Sequence, residues 1–479
     1  MGRDGINAFG MKQQAGTLAL LMSLAVSSGW AQTTAAQEPP RPEPGAGAQV
    51  HTGAKSGLEL VDRLRSLLAD HQYAEIEPQI DALPPTEAKL FRGILANRNN
   101  DAKASIELLE PLVEEIAAAG DQQNEKLVRK ALAEDYLRLG DWQKASVAYA
   151  KLAERLDTAL TADEKDEIEL PVKLLPLIAQ NPPMSVEPCD PFLMQVDKDP
   201  LGLTDLPVFV DAMPHRWMLD PTAPFNLMAR SSAHEVGIKL SEQTATIRTL
   251  TGRPIVVHMA IVPRFTIGGR LTLRNMTVFV YDDADYQFPR SEYQVYGVLG
   301  YPALAAMGRV TVTSNSTVEV RPARQISTPT ATDKLTDGAR FYLDGDQLLV
   351  ELQHDPPTGE AASGASAPRI YAIDPGAQQS WLSSRYYDEH LADFAGQKKL
   401  LFTLPGLAGL APQPAYVAES VDLWAGHQHV AAHYLQVLTA PLGNVARDDL
   451  YGQLGIDFLD QLKSYTFDYR TMRFSATAE

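Results

Sequence analysis

The sequence predicts an α+β multidomain protein, in which a helical N-terminal segment precedes an all-β region built from two related units. Three observations carry that expectation. From Gly57 to about Ile178 apolar residues recur at helical spacing and β-branched runs are scarce. Beyond Asp205, short runs rich in Val, Ile, Leu, Thr and Tyr alternate with Gly, Asn-Ser and Asp-Asp punctuation, as strands and turns do. Within that second stretch one pattern occurs twice at matched spacing. At 479 residues, 45% hydrophobic and 21% charged, the chain can bury a sizeable core. The 60 acidic against 42 basic residues leave a net charge of −18, which repels phosphate and argues against a nucleic-acid partner. The single cysteine, Cys189, excludes an intramolecular disulfide and a Cys-rich metal site.

Taken in order, residues 1–31 read as a secretory signal. Met11-Lys12 precedes an apolar run from Leu18 to Val26 and a small-residue cleavage site at Gly29-Trp30-Ala31, so translation is expected to start at Met11. The run is far shorter than the ~20 apolar residues that span a bilayer, and no later segment is long and apolar enough to do so. Export to the periplasm or medium, without a membrane span, is the expectation. Residues 32–55, with Pro39, Pro40, Pro42 and Pro44, read as a disordered tether. Residues 56–180 read as helical. Tyr136, Gly140, Trp142, Ala145 and Tyr149 have the spacing of a helix–turn–helix whose turn is Gly140-Asp141. Leu95, Asn99, Ala104 and Leu108 repeat these offsets 41 residues earlier, and Leu67, His71, Tyr73, Ile76 and Ile80 do so more weakly. The segment resembles a degenerate tetratricopeptide array, with an irregular helical bundle as the alternative. Residues 181–205 contain Pro182, Pro183, Pro188, Pro191 and Pro200 and read as a linker.

The β region divides into units 206–325 and 326–479. Trp217–Met228, "WMLDPTAPFNLM", matches Tyr371–Leu382, "YAIDPGAQQSWL": each sets an apolar triplet before Asp-Pro-x-Ala. Downstream, "YGVLGYPAL" from Tyr296 matches "YGQLGIDFL" from Tyr451. Asp220 lies 80 residues before Gly300, and Asp374 lies 81 before Gly455. Each unit closes on an alternating strand, Val310–Val312 and Tyr465–Phe467. Chance does not readily place three features at matched offsets, so an internal duplication is inferred.

An apolar strand ending in an Asp loop, a return strand ending in apolar-Leu-Gly and a closing strand resemble the lobe of a retropepsin-like aspartic protease. Gly268-Gly269, followed by Leu271, Leu273, Asn275 and Val278, is similar to the strand pair between the loop and the return strand. The resemblance covers roughly Pro207 to Phe474. It implies a bilobal all-β fold in which Asp220 and Asp374 are the catalytic residues and meet in one cleft. The supporting loops are Pro221, Thr222 and Ala223 in one lobe and Pro375, Gly376 and Ala377 in the other, with Gly300 and Gly455 on the return strands. It implies a polypeptide substrate or partner and no metal or organic cofactor. Two carboxyls about 3 Å apart cannot both ionise, so one serves as base on a water and the other as acid. Both loops depart from the family's Asp-Thr/Ser-Gly. Pro221 and Pro375 lack an N–H and a hydroxyl, and Thr222 brings a Cβ where the pattern has glycine. Poorly oriented carboxylates are therefore expected, and with them two outcomes: a divergent aspartic endopeptidase, or an inactive pseudoprotease whose groove binds extended peptide.

Other constellations carry less. His427, His429 and His433 lack a neighbouring acidic or Cys ligand and read as hairpin histidines rather than a metal site. His234-Glu235 is followed by Ile238 where a zincin needs histidine. Asp282, Asp283 and Asp285 read as a solvated loop, Ser380 as part of the Asp-loop turn, and Cys189 as unreactive beside Asp190. Hairpins at Thr251–Val257 and Gly426–His433 are candidates for the cleft walls. A carbohydrate-binding β-sandwich is a third reading, and it predicts no pair of equivalent aspartates.

Overall fold

The structure, a computed structural model, describes residues 52–179, 181–200, 202–248, 254–288, 293–325, 335, 337–345, 347–356, 368–402, 413–441 and 449–478. The signal, most of the tether, and the loop-like stretches 328–334 and 357–367 lie outside the described residues. The tether's last four residues, 52–55, already belong to the first helix, Thr52–Ala69.

Helices follow one another through the N-terminal segment, chiefly Pro85–Arg98, Ala102–Leu109, Gln122–Arg138, Trp142–Leu156 and Ala162–Ile178. Their turns share one design. Asn100, Gly120 and Gly140 take left-handed backbone angles, and the next residue is in each case an aspartate that caps the following helix. Asp101, Asp121 and Asp141 accept from the backbone N–H three residues on, at 3.2, 3.1 and 3.1 Å. The turn therefore recurs every 20 residues, and the counterpart of Gly140 is Asn100, not the Asn99 of the sequence alignment. The 41-residue offset is corrected to 40, because the left-handed residue fixes the register.

This helical segment packs on the second β unit. Val61, Leu64, Ile76 and Phe91 form one apolar cluster with Tyr342, Leu349, Ile370 and Leu450. At its margin Asp344 accepts from Tyr73 Oη at 2.8 Å and pairs with Arg98 at 2.9 Å. Arg98 and its neighbours hold the Asp344 carboxyl well below the usual range despite burial.

Residues 181–205 are not a linker. Ser185–Val186 pairs with Leu273–Arg274, Phe192–Gln195 with Thr317–Val320, and Asp197–Lys198 with Thr204–Asp205. The first two are edge strands of two sheets. The prolines fall between the paired residues, where no ladder N–H is needed, so a proline-rich stretch can still be structured.

The β region repeats one topology. In the first unit the aspartate strand Met213–Leu219 runs parallel to the return strand Gly297–Leu299, which is antiparallel to Asn226–Ala229. That strand in turn lies parallel to Leu271–Tyr281, the partner of the long strand Pro254–Ile267. In the second unit Arg369–Ile373 runs parallel to Gly452–Leu454, which is antiparallel to Trp381–Leu382. Trp381–Leu382 lies parallel to Gln428–Leu438, the partner of Gln413–Ala425. The closing strands meet: Arg309–Thr313 pairs antiparallel with Ser464–Asp468. Thr311 faces Thr466, each eleven residues beyond its return glycine, with hydroxyls 2.9 Å apart. A local twofold axis passes through that pair.

The same correspondence places the hairpins. The Gly426 turn joins the two long strands of the second unit and matches Gly268-Gly269, not the hairpin between Thr244–Arg248 and Pro254–Ile267. Asp337 fastens it, accepting from His427 N at 3.2 Å. The counterpart of the first hairpin joins Leu400–Phe402 to Gln413–Ala425. The tips of both, 249–253 and 403–412, lie outside the described residues.

Candidate active site

Each aspartate stands where its strand leaves the sheet. Asp220 N donates to Leu299 O at 3.1 Å, and Asp374 N to Leu454 O at 2.9 Å, closing the last bond of each parallel pair. The chain then makes a tight turn. Ala223 N donates to Asp220 O at 3.3 Å and Ala377 N to Asp374 O at 2.9 Å. Pro221 and Pro375 thus occupy the second turn position, for which a proline ring is pre-set.

This geometry overturns the expected cost of the altered loops. The donors that orient Asp220 come from the third and fourth turn positions, so the missing proline N–H is not among them. Asp220 Oδ1 accepts from Thr222 N at 3.0 Å, Thr222 Oγ1 at 2.7 Å and Ala223 N at 3.2 Å. Asp374 Oδ1 accepts from Gly376 N at 3.1 Å. Nor does the Thr222 Cβ keep its backbone away; the side chain turns inward and adds a donor.

The return glycines are required by close approach. A Cβ on Gly300 would sit 2.2 Å from Phe225 O, and one on Gly455 2.6 Å from Ala377 O. Six residues after each aspartate a polar side chain accepts from the glycine N–H: Asn226 Oδ1 from Gly300 at 3.1 Å, Ser380 Oγ from Gly455 at 2.8 Å. Tyr301 N and Ile456 N then donate to Ala223 O and Ala377 O at 2.8 and 2.6 Å. Loop and return strand are locked in the same way twice. Ser380 also binds Asp457, with Oγ 2.5 Å from Oδ1.

The two loops face each other. Thr222 Oγ1 lies 3.4 Å from Asp374 Oδ1, and a Cβ on Gly376 would be 3.2 Å from both Asp220 Cγ and Asp374 Oδ1. Both aspartates are 0% exposed. Burial, and next the charge of Asp374, push the Asp220 carboxyl well above its ordinary range. Its Oδ2 has no hydrogen-bond partner among the described residues. From the return strand, Gln453 Nε2 donates to Asp374 Oδ2 at 3.3 Å. A pair so placed can hold one proton between two carboxyls and act as acid and base together. All ten residues singled out in the sequence, from Asp220 to Gly455, gather here. A β-sandwich without equivalent aspartates is set aside. The sequence reading missed Gln453 and Asn226, although aligning the two units shows both: Gln453 is the one polar residue in its apolar triplet, and Asn226 is level with Ser380.

The histidines do not converge. His427 Nδ1 meets Asp337 at 3.1 Å, His429 Nε2 meets Asp422 at 2.8 Å, and His433 Nδ1 is 3.4 Å from Glu419 O. No group of three metal-ligating side chains occurs among the described residues. Asp282 is ion-paired with Arg230, and Asp283 accepts from Ser231 N. Cys189 is buried, which raises its thiol pKa. No described helix is long and apolar enough to cross a membrane.

No curated protein matches this chain. Among solved structures it is similar to basic 7S globulin from soybean and to conglutin gamma, a basic 7S globulin from lupine seeds. Each is 12% identical, with a TM-score of 0.38 over 61% of this chain and 95% of theirs. The family model for aspartyl proteases matches residues 206–303, a span that includes Asp220 and Gly300. The chain therefore carries an aspartic-protease-like region in its first β unit.

Proposed function

We propose that the protein is an exported aspartic endopeptidase with two retropepsin-like lobes in one chain, acting through Asp220 and Asp374. The observation that carries this reading is the meeting of the two equivalent carboxyls in one buried site bridged by Thr222. The match of the first unit to aspartyl proteases supports it. The ionised carboxyl takes a proton from water as the water adds to the scissile carbonyl, while the protonated one donates to the carbonyl oxygen. The proton then passes to the leaving amine. Pro221, Thr222 and Ala223, with Pro375, Gly376 and Ala377, hold the carboxyls through their turns, and Gly300 and Gly455 let the return strands close on them. This chemistry uses no metal or organic cofactor. Activity needs one proton on the pair, so the raised Asp220 pKa carries the alkaline limb of the pH profile above the ordinary carboxylate range.

A second reading is an inactive pseudoprotease that binds an extended polypeptide. The absence of exposed surface on either aspartate favours it. In both readings the helical segment is a tetratricopeptide-like interaction module and residues 1–31 are removed on export. The purified mature chain, incubated with denatured proteins between pH 3 and 7 beside D374A, separates the two. Cleavage that D374A abolishes supports the enzyme; equal inertness of both chains overturns it and leaves the binder.

A further inference from the structure

The two aspartates are related by symmetry, but the side chains around them are not. In the first return strand the residue two before the glycine is Val298, apolar and without a donor; in the second it is Gln453. Gln453 is 4% exposed and directs its amide at Asp374 Oδ2. Asp374 thus accepts on both oxygens, from Gly376 N on Oδ1 and from Gln453 on Oδ2. Asp220 receives its three donors on Oδ1 alone, and its buried Oδ2 meets none among the described residues. A proton on Asp220 Oδ2 displaces no donor, since a neutral carboxyl still accepts on its other oxygen. A proton on Asp374 Oδ2 points at an amide N–H and costs that bond.

We propose that Gln453 is a positioning residue that fixes the single proton of the pair on Asp220 Oδ2 and keeps Asp374 as the carboxylate. The roles within the pair follow, and here the inference rests on the endopeptidase reading: Asp374 is the base toward water, Asp220 the acid toward the carbonyl. Val298 holds the equivalent position in the first return strand, so the asymmetry is built into the two return strands and does not depend on a substrate.

Other ionisable groups near the pair do not blur the assignment. Tyr469, in the turn after Leu462–Asp468, feels the charge of Asp220, and burial raises its phenol well above the ordinary range. Tyr301, edge-on to Tyr469 at 5.9 Å, is pushed to about 12. Both stay neutral wherever carboxyls titrate. Asp468 is paired with Arg309 and Arg470. Asp457, raised by burial, is held by Ser380 through its backbone N–H and its hydroxyl. Arg138 and Asp135 act on Tyr301 from the helical segment, and Asp135, pushed to about 6, titrates in the same range. Being untouched by a change at position 453, it cancels in the comparison below.

The test follows carboxyl titration by 13C NMR of aspartate-labelled protein, in D220N, where only Asp374 remains, and in D374N, where only Asp220 remains. Each is combined with Q453M, which keeps the length and loses the donor, and with Q453V, which copies the first unit. Thermal melts confirm that each variant is folded, and Q453E provides a third, isosteric change. The expected result is that Q453M raises the Asp374 titration by about one pH unit and leaves Asp220 unmoved. Q453E is expected to raise Asp374 further, by placing a second carboxyl against it. Equal movement of both aspartates, or no movement of Asp374, overturns the proposal. The measurement needs no turnover: an inert protein that shows the selective shift keeps this inference while losing the peptidase. A cleaving one shows the same change as an acid limb of kcat/KM moved to higher pH in Q453M.

Discussion

The two β units share backbone and diverge in side chains, and the divergence is complementary. Both end an apolar strand in an aspartate, turn through Asp-Pro-x-Ala, and clamp the loop with a return glycine and a polar residue six positions on. At the third turn position the first unit has Thr222 and the second Gly376. A Cβ on Gly376 would press on both carboxyls, 3.2 Å from Asp220 Cγ and 3.2 Å from Asp374 Oδ1. The Thr222 hydroxyl lies 2.7 Å from Asp220 Oδ1 and 3.4 Å from Asp374 Oδ1, while Gln453 donates to Asp374 Oδ2. The two half-sites share what the backbone geometry demands of both and differ in the side chains that reach the carboxyls.

The sharpest way to break this comparison is to remove the carboxyls one at a time. If the units form one acid–base pair, D220N and D374N each lower peptide cleavage by on the order of 10³-fold, and the double variant is hardly worse than either. A single loss confined to one aspartate, measured as kcat/KM on a cleaved peptide, would refute shared chemistry.

Next in size are the return glycines. G300A drives a methyl toward two carbonyl oxygens, Phe225 O at 2.2 Å and Ala223 O at 2.6 Å, whereas G455A meets Ala377 O at 2.6 Å and Gln379 O at 3.1 Å. Overpacking of this kind costs about 1–3 kcal/mol and at times more. G300A is expected to lose the larger amount in urea unfolding. The polar clamps come third: S380A unpairs Gly455 N–H and takes the short hydroxyl bond from the buried Asp457 carboxylate, while N226A unpairs Gly300 N–H and loses a longer bond, 3.3 Å, to Thr277 O. A buried unpaired donor costs about 1–3 kcal/mol, so S380A is expected to melt below N226A.

Much of this was legible in the sequence because backbone demands leave a residue signature. Asp-Pro-x-Ala and apolar-Leu-Gly mark a turn and a close approach, and their spacing identifies two copies without any view of the fold. What was illegible depends on contacts between distant segments. Nothing in Thr222 itself says that its hydroxyl reaches an aspartate 152 residues away. Pro182 to Pro200 read as a linker because edge pairing with Leu273 or Val320 is settled by the partner strand, not by local composition. Asn99 was aligned in place of Asn100 because a left-handed angle is a backbone property that asparagine permits at either site.

The smallest effect separates the axis from the helical interface by the sign of a pH slope. Asp220 and Asp344 are both shielded aspartates, but their environments push them in opposite directions. For Asp220 the folded pKa is raised, so above pH ~4 the unfolded chain releases a proton that the folded chain keeps. Stability then falls as pH rises from that point toward the raised value. D220N has nothing to ionise there. Its melting temperature is expected to overtake that of the wild type as pH climbs from about 4 to 7, with the gap closing again in acid. Asp344, with its pKa lowered by Arg98, stabilises the fold above the unfolded value, and that contribution disappears as pH falls through the folded one. D344N is therefore expected to be destabilised at neutral pH, where D220N is stabilised. Opposite slopes would mark the axis as a site that spends stability on holding a proton, and the interface as one where an aspartate serves only to fasten the helices. Parallel slopes would mean that Asp220 is merely another paired carboxylate.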